Sequence, residues 1–175
     1  MEAIIELFHK NGQKNYIGEM ITQTEHALQT AILAEKDRQE DYVIIGALLH
    51  DIGHLLDGEN MYTDGLNLGV KNHEKIGADY LRNMGFDAKI CKLVEKHVDT
   101  KRYLLYKQPN RKLSEASQKT LAHQGGIMTE DEANLFEKDK LFQKYIKIRE
   151  YDDRAKVVGM DVPSLRDFLE KMLKK

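Results

Sequence analysis

Of the seven histidines in this chain, one, His50, is followed at once by Asp51 and preceded by Val43-Ile44-Ile45-Gly46-Ala47-Leu48-Leu49, one of its most apolar runs. Burying a lone carboxylate costs several kcal/mol or more, so Asp51 has to be paired, hydrogen-bonded or bound to a metal. His54 follows His50 by four residues, one turn further along the same helical face. Adjacent helical residues diverge by about 100°, so His50 and Asp51 reach one centre only if it lies close against the helix. Upstream, His26 has Gln23 and Thr30 at i−3 and i+4. Downstream, His73 opens a segment with an apolar stripe of Ile76, Tyr80 and Leu81, and His97 shares a face with Leu93 and Val94.

Singly, each of these reads as an ordinary hydrogen-bonded histidine. Together, four helical segments each bring one to an inner face, beside an aspartate. Imidazole and carboxylate donors suit zinc, iron, manganese or nickel. A further acid is needed, and Tyr151-Asp152-Asp153-Arg154-Ala155-Lys156 offers two. Asp152 is preferred to Asp153, because Lys156 lies four residues on and could pair with it from the same helical face. His9 and His123 fit no such pattern and read as surface or structural histidines.

The elements that must position these groups are helical throughout. Apolar residues recur at helical spacing, strand-like alternation is absent, and only Pro109 and Pro163 interrupt. The pattern predicts helices near residues 2–12, 20–37, 41–56, 70–84, 87–100, 114–122, 131–157 and 163–173. Asp57 to Gly69, rich in Gly, Asn and Asp, reads as a loop, as does 107–112. With no repeat or linker, residues 1–175 read as one all-α domain, a compact helical bundle.

Composition narrows the function. A hydrophobic fraction of 41%, a charged fraction of 32% and a net charge of −2 suit a soluble globular protein and give no reason to expect nucleic-acid binding. No run approaches the roughly 18 apolar residues of a membrane span. The amino terminus has no signal-peptide pattern, so a cytoplasmic location is expected. Cys91 stands alone, excluding an intrachain disulfide or a cysteine-based zinc site; its apolar neighbours imply a buried, inert thiol.

The order His26 … His50-Asp51 … Asp152 resembles the H…HD…D signature of the HD superfamily, and Leu48-Leu49-His50-Asp51-Ile52-Gly53-His54 is a specific local match. His73 and His97 are similar to the additional histidines of its two-metal subset. This implies a bundle with a central dinuclear site: His26, His50, Asp51 and Asp152 on one metal, Asp51, His73 and His97 on the other, Asp51 bridging. Most such proteins are metal-dependent phosphohydrolases, and hydrolysis of a nucleotide or small phosphate ester is the alternative function. A non-catalytic scaffold is the third.

Other segments favour oxidation. Tyr16-Ile17-Gly18-Glu19, Thr22 to Gln29, Leu113 to Leu121, Gln124 to Met128, Lys101 after His97, and Arg149 before Asp152 together resemble the PhnZ-type hydroxyphosphonate dioxygenases, distant kin of myo-inositol oxygenase. One departure is Ile127, where that group often has Pro. The resemblance spans Tyr16 to Lys156. It implies an Fe(II)/Fe(III) pair with O2 as co-substrate, cleaving the C–P bond of a 1-hydroxyalkylphosphonate to phosphate and a carboxylic acid. It also implies that Tyr16 and Glu19 gate the second iron and touch substrate.

The residue types fit a small dianion. Lys101 and Arg149 supply charge; Ser117, Thr120 and Gln124, spaced 0, +3 and +7 on one helical face before a Gly125-Gly126 stop, supply neutral donors. His54 is read as a further substrate donor. Glu19, Asp57 and Glu59 are the acids that could meet an ammonium tail, and the sequence does not rank them. The oligomeric state is left open.

Overall fold

A computed structural model describes residues 1–16, 18–63 and 65–174, with Leu66 and Ala116 given by their backbone alone. In chain order the elements are α1 (Glu2–Asn11), α2 (Gln23–Lys36), α3 (Asp41–Leu49), β1 (Asn60–Thr63), β2 (Leu66–Val70), α4 (His73–Asn83), α5 (Ala88–Lys107), α6 (Glu115–Leu121), α7 (Glu130–Phe136), α8 (Phe142–Arg154) and α9 (Leu165–Leu173). Single-turn 3-10 segments lie at Ile52–Leu55 and Ala122–Gln124. The helical expectation holds, amended by one small hairpin.

Helix α2 begins where local chemistry sets it. Thr22 Oγ1 accepts from the Glu25 amide at 3.1 Å, and the Glu25 carboxylate accepts from the Thr22 amide at 2.6 Å. That reciprocal cap satisfies two amides the helix leaves without partners. The helix therefore starts at Gln23 rather than at 20, and Tyr16 and Glu19 lie in the turn ahead of it. Ile17, between them, is outside the described residues. Ala27, Ala31 and Ala34 are buried, and side chains this small let α2 close against α3 and α8.

Helix α3 is apolar on all sides and is accordingly central. The helix expected over 41–56 ends at Leu49, and the chain tightens into the 3-10 turn. His50 and Asp51 thus sit at a helix end, no longer bound to the helical divergence. Two glycines seat this turn on α4. A Cβ at Gly53 would stand 2.0 Å from the His73 carbonyl oxygen, and one at Gly77 would stand 3.0 Å from the Gly53 nitrogen.

The loop expected over Asp57–Gly69 contains an antiparallel hairpin, pairing Asn60 with Val70, Tyr62 with Asn67 and Thr63 with Leu66. Met61, Leu68 and Val70 are buried while Tyr62 is exposed, an alternation too short to stand out among polar neighbours. Asp64 is outside the described residues.

The helix expected over 131–157 is two, α7 and α8, and α8 stops at Arg154. Helix α5 runs on to Lys107, burying Tyr103, Leu104 and Leu105. Helix α6 continues through the second 3-10 turn until Gly125 and Gly126 take positive φ and end it. Cys91 is buried, as expected. Among the described residues no helix is long and apolar enough to cross a membrane.

Candidate metal centre

The four histidines expected to act together come together, from α2, the end of α3, the start of α4 and the middle of α5. Each fixes its own tautomer by donating Nδ1–H to a backbone carbonyl. His26 donates to Ala155 at 2.8 Å, His50 to Ala47 at 2.8 Å, His73 to Val70 at 3.3 Å and His97 to Val94 at 2.7 Å. In a neutral ring that leaves Nε2 as a bare lone pair.

The Nε2 atoms converge in two pairs. His26 Nε2 and His50 Nε2 are 3.2 Å apart; His73 Nε2 and His97 Nε2 are 3.0 Å apart. Asp51 straddles both. Its Oδ2 lies 3.3 Å from His50 and 3.8 Å from His26, its Oδ1 3.4 Å from His73 and 3.2 Å from His97. Asp152 completes the first group: its Oδ1 is 3.3 Å from His26 and 3.9 Å from His50. That oxygen is buried and has no hydrogen-bond donor among the described residues. Neighbouring donors about 2.1 Å from one cation stand roughly 3 Å apart, so two cations would answer every one of these juxtapositions. The residues present fit a metal.

The electrostatics agree. Burial opposes ionisation of Asp51, yet His50, with His73 and His97, holds the carboxyl well below its usual range. Asp152 is likewise held low against its burial, chiefly by Arg149. Burial would lower His50, but Asp51 and Asp152 lift it to about 9. The group is built to hold positive charge.

His54 behaves differently from the other four. Its Nδ1 accepts from the Val70 amide at 3.0 Å, so the proton is on Nε2 and the ring is a donor. Burial, and then the neighbouring His73, hold it well below 6.5, so it stays neutral. It stacks on His73 with ring centroids 3.8 Å apart. A nitrogen of His54 does lie within 4.8 Å of donor atoms of Asp51 and His73. The tautomer nonetheless favours His97 as their companion at an ion.

A cavity of about 50 Å3 borders the centre, lined by Asp51, Asp152, His73 and His97. Its far wall carries the expected anion-binding row: Lys101, Arg149, Ser117, Thr120 and Gln124, with His54 beside it. Lys101 Nζ donates to Thr120 Oγ1 at 3.0 Å and to Gln124 Oε1. Burial, then Arg149, lowers its pKa to about 7. Arg149 is 3.0 Å from Asp152 Oδ2, pairs with Asp153 and donates to Ser117 Oγ at 3.3 Å. Asp153 also pairs with Arg111 at 2.9 Å, an ordinary ion-pair partner outside the histidine cluster.

Tyr16 lies flat on His26, with centroids 3.8 Å apart and planes 17° from parallel. Burial, with Asp152 and Asp51 behind it, keeps its phenol well above 10 and so protonated. Glu19 is outside this cavity and borders the next one.

One expected contact is corrected. Lys156 does not pair with Asp152, because α8 ends between them; its Nζ is 3.5 Å from Glu19 and donates to Ser114 Oγ at 3.1 Å. Lys156 and Ser114 also line the cavity, which spacing alone had not suggested. The signal for Ser114 was its place as the cap of α6, where its Oγ accepts from Ser117 N. His9 is exposed, and His123 contacts Thr63 on the surface.

Residues 24–158 match a family model described as HD domain. Over 94% of its length the chain is 42% identical to an uncharacterized protein of Acanthamoeba polyphaga mimivirus, covering 76% of that protein. It is 37% identical to a 1-hydroxy-2-(trimethylamino)ethylphosphonate dioxygenase (glycine-betaine-forming) of Leisingera caerulea, covering 96% of this chain and 86% of the relative. It is also 37% identical to a hydroxymethylphosphonate dioxygenase of Gimesia maris, covering 95% and 83%.

Proposed function

The chain belongs to the HD-domain family, with phosphonate dioxygenases among its relatives, and from that premise we propose that it oxidatively cleaves the C–P bond of a 1-hydroxyalkylphosphonate. The products are inorganic phosphate and a carboxylic acid. The observation that carries the reading is the juxtaposition of two converging donor groups, bridged by Asp51, with a cationic wall on the same small cavity.

His26, His50, Asp51 and Asp152 would hold one iron; Asp51, His73 and His97 would hold the other. When bound, a mixed-valent iron pair supplies the site for O2, the oxidant, with all four electrons coming from the substrate. The protein's own part is to bind, orient and exclude. Lys101 and Arg149 neutralise the phosphonate dianion, and Ser117, Thr120 and Gln124 complete its hydrogen bonds. His54, neutral and carrying its proton on Nε2, donates to a substrate oxygen. Tyr16 and Glu19 form the outer cover that substrate displaces.

The test is aerobic incubation of the iron-loaded protein with a panel of 1-hydroxyphosphonates, followed by NMR. Phosphate and the matching acid should appear in equal amounts, with one O2 consumed per turnover and none formed without O2. Oxygen-independent release of phosphate from phosphate esters by zinc-loaded protein would instead establish the hydrolase.

A further inference from the structure

Tyr16 and His54 border not only the inner cavity but also a second, outer chamber of about 580 Å3. The inner cavity has room for only a few water-sized groups. A phosphonate and its hydroxyl-bearing carbon fill it. Whatever the substrate carries beyond that carbon has to lie past Tyr16 and His54, in the outer chamber.

The chemistry of that chamber is specific. Its polar walls are neutral amides, Asn11, Asn15, Gln23, Asn60 and Asn67. Among the described residues lining it, Glu19 is the one acid and Lys14 the one lysine. Glu19 is already engaged, because Lys156 Nζ stands 3.5 Å from its Oε1. Lys156 is itself held in place by Ser114 Oγ at 3.1 Å and lies 5.6 Å above the Tyr16 ring. Both side chains are largely withdrawn from solvent, 15% and 26% exposed. The other acids that could meet an ammonium group do not reach the chamber. Asp57 is exposed, and Glu59 pairs with Lys71 at 3.7 Å on the surface.

We propose that the outer chamber is the subsite for the substrate beyond its hydroxyl-bearing carbon, and that Lys156, by occupying Glu19, sets it for an uncharged tail. The inference rests on the inner cavity being the phosphonate site. An ammonium entering the chamber meets Lys14 and finds its one possible counter-charge, Glu19, already taken by Lys156. Like charges set side by side are a strong means of rejecting a ligand. A hydroxyl tail, or none, meets amides that both donate and accept. Lys156 is a specificity-determining residue on this reading, acting through Glu19.

The experiment is anaerobic calorimetry on the iron-loaded protein, with hydroxymethylphosphonate, 1,2-dihydroxyethylphosphonate and 2-amino-1-hydroxyethylphosphonate as ligands. The parent should bind the first two about tenfold or more tightly than the third. Lys156→Met should narrow that gap about tenfold, and adding Glu19→Gln should restore it. Lys156→Gln serves the same purpose if the Met variant folds poorly, and the parent's own ranking needs no variant. Iron content, measured alongside, should not change. A parent that prefers the amino compound, or a gap unmoved by losing Lys156, overturns the inference and leaves the phosphonate reading intact. Failure of the parent to bind any of the three overturns both.

Discussion

Lys101 is the cation whose charge is least secure. Burial and the adjacent Arg149 bring it to about 7, despite the pull of Asp152 and Asp51. A bound dianion would favour the ammonium and raise that value. Below pH 7 the ligand then meets a charged Lys101; above it, binding has to take up a proton. Phosphonate affinity should therefore fall as pH rises past about 7, by up to roughly tenfold per unit. Lys101→Arg keeps its charge throughout and should flatten the profile. Calorimetric affinities from pH 6 to 8.5 check this, and identical profiles would remove the role. The residue itself was legible, since Lys101 follows His97 by one turn and the Ser117, Thr120, Gln124 row repeats at helical spacing. The partner of Lys156 was not. Nothing in Asp152-Asp153-Arg154-Ala155 announces that α8 is ending, and Lys156 was matched to the wrong carboxylate.

Among the elements, the 3-10 turn after α3 does most to shape the centre. It carries His50 and Asp51 off the helix and rests, through Gly53, directly on the backbone of His73. Gly53→Ala would drive a methyl group to 2.0 Å from the His73 carbonyl, which a packed backbone cannot yield. Stability should fall by about 3 kcal/mol, the upper end for overpacking, or roughly 6–12 °C in melting temperature. Metal content should fall too, because the same shift moves His73. Thermal melts and elemental analysis decide; a variant matching the parent in both would show that the turn has slack. The turn was half legible. Leu48-Leu49-His50-Asp51-Ile52-Gly53-His54 announced chemistry, but its apolar residues continued the helical pattern past the true end at Leu49. The hairpin was hidden for a different reason. Its strands are four and five residues long, and the Asp64-Gly65 pair that favours a tight hairpin turn was read as loop composition.

For the whole molecule, the helical class and the gathering of distant histidines were legible because both depend on apolar periodicity. How the pieces lock is another matter. His50, His73 and His97 each anchor to the carbonyl three residues behind them, so their aim is set within their own turn of chain. His26 alone reaches far, to Ala155, 129 residues away. Two residues further on, Val157 is gripped at both ends by the amide of Gln29, which donates to its carbonyl at 2.8 Å and accepts from its nitrogen at 2.9 Å. The two halves of the centre are therefore anchored differently. The donors Asp51, His73 and His97 fall within one stretch of fewer than 50 residues, whereas the aim of His26 depends on the chain just past the end of α8. Gln29 is the clasp that ties the chain just after α8 to α2. Gln29→Leu should loosen one ion and spare the other, turning release to a chelator into two phases, with the faster phase about 10–100-fold quicker than in the parent. A single uniform phase would mean that the two metals come and go as one.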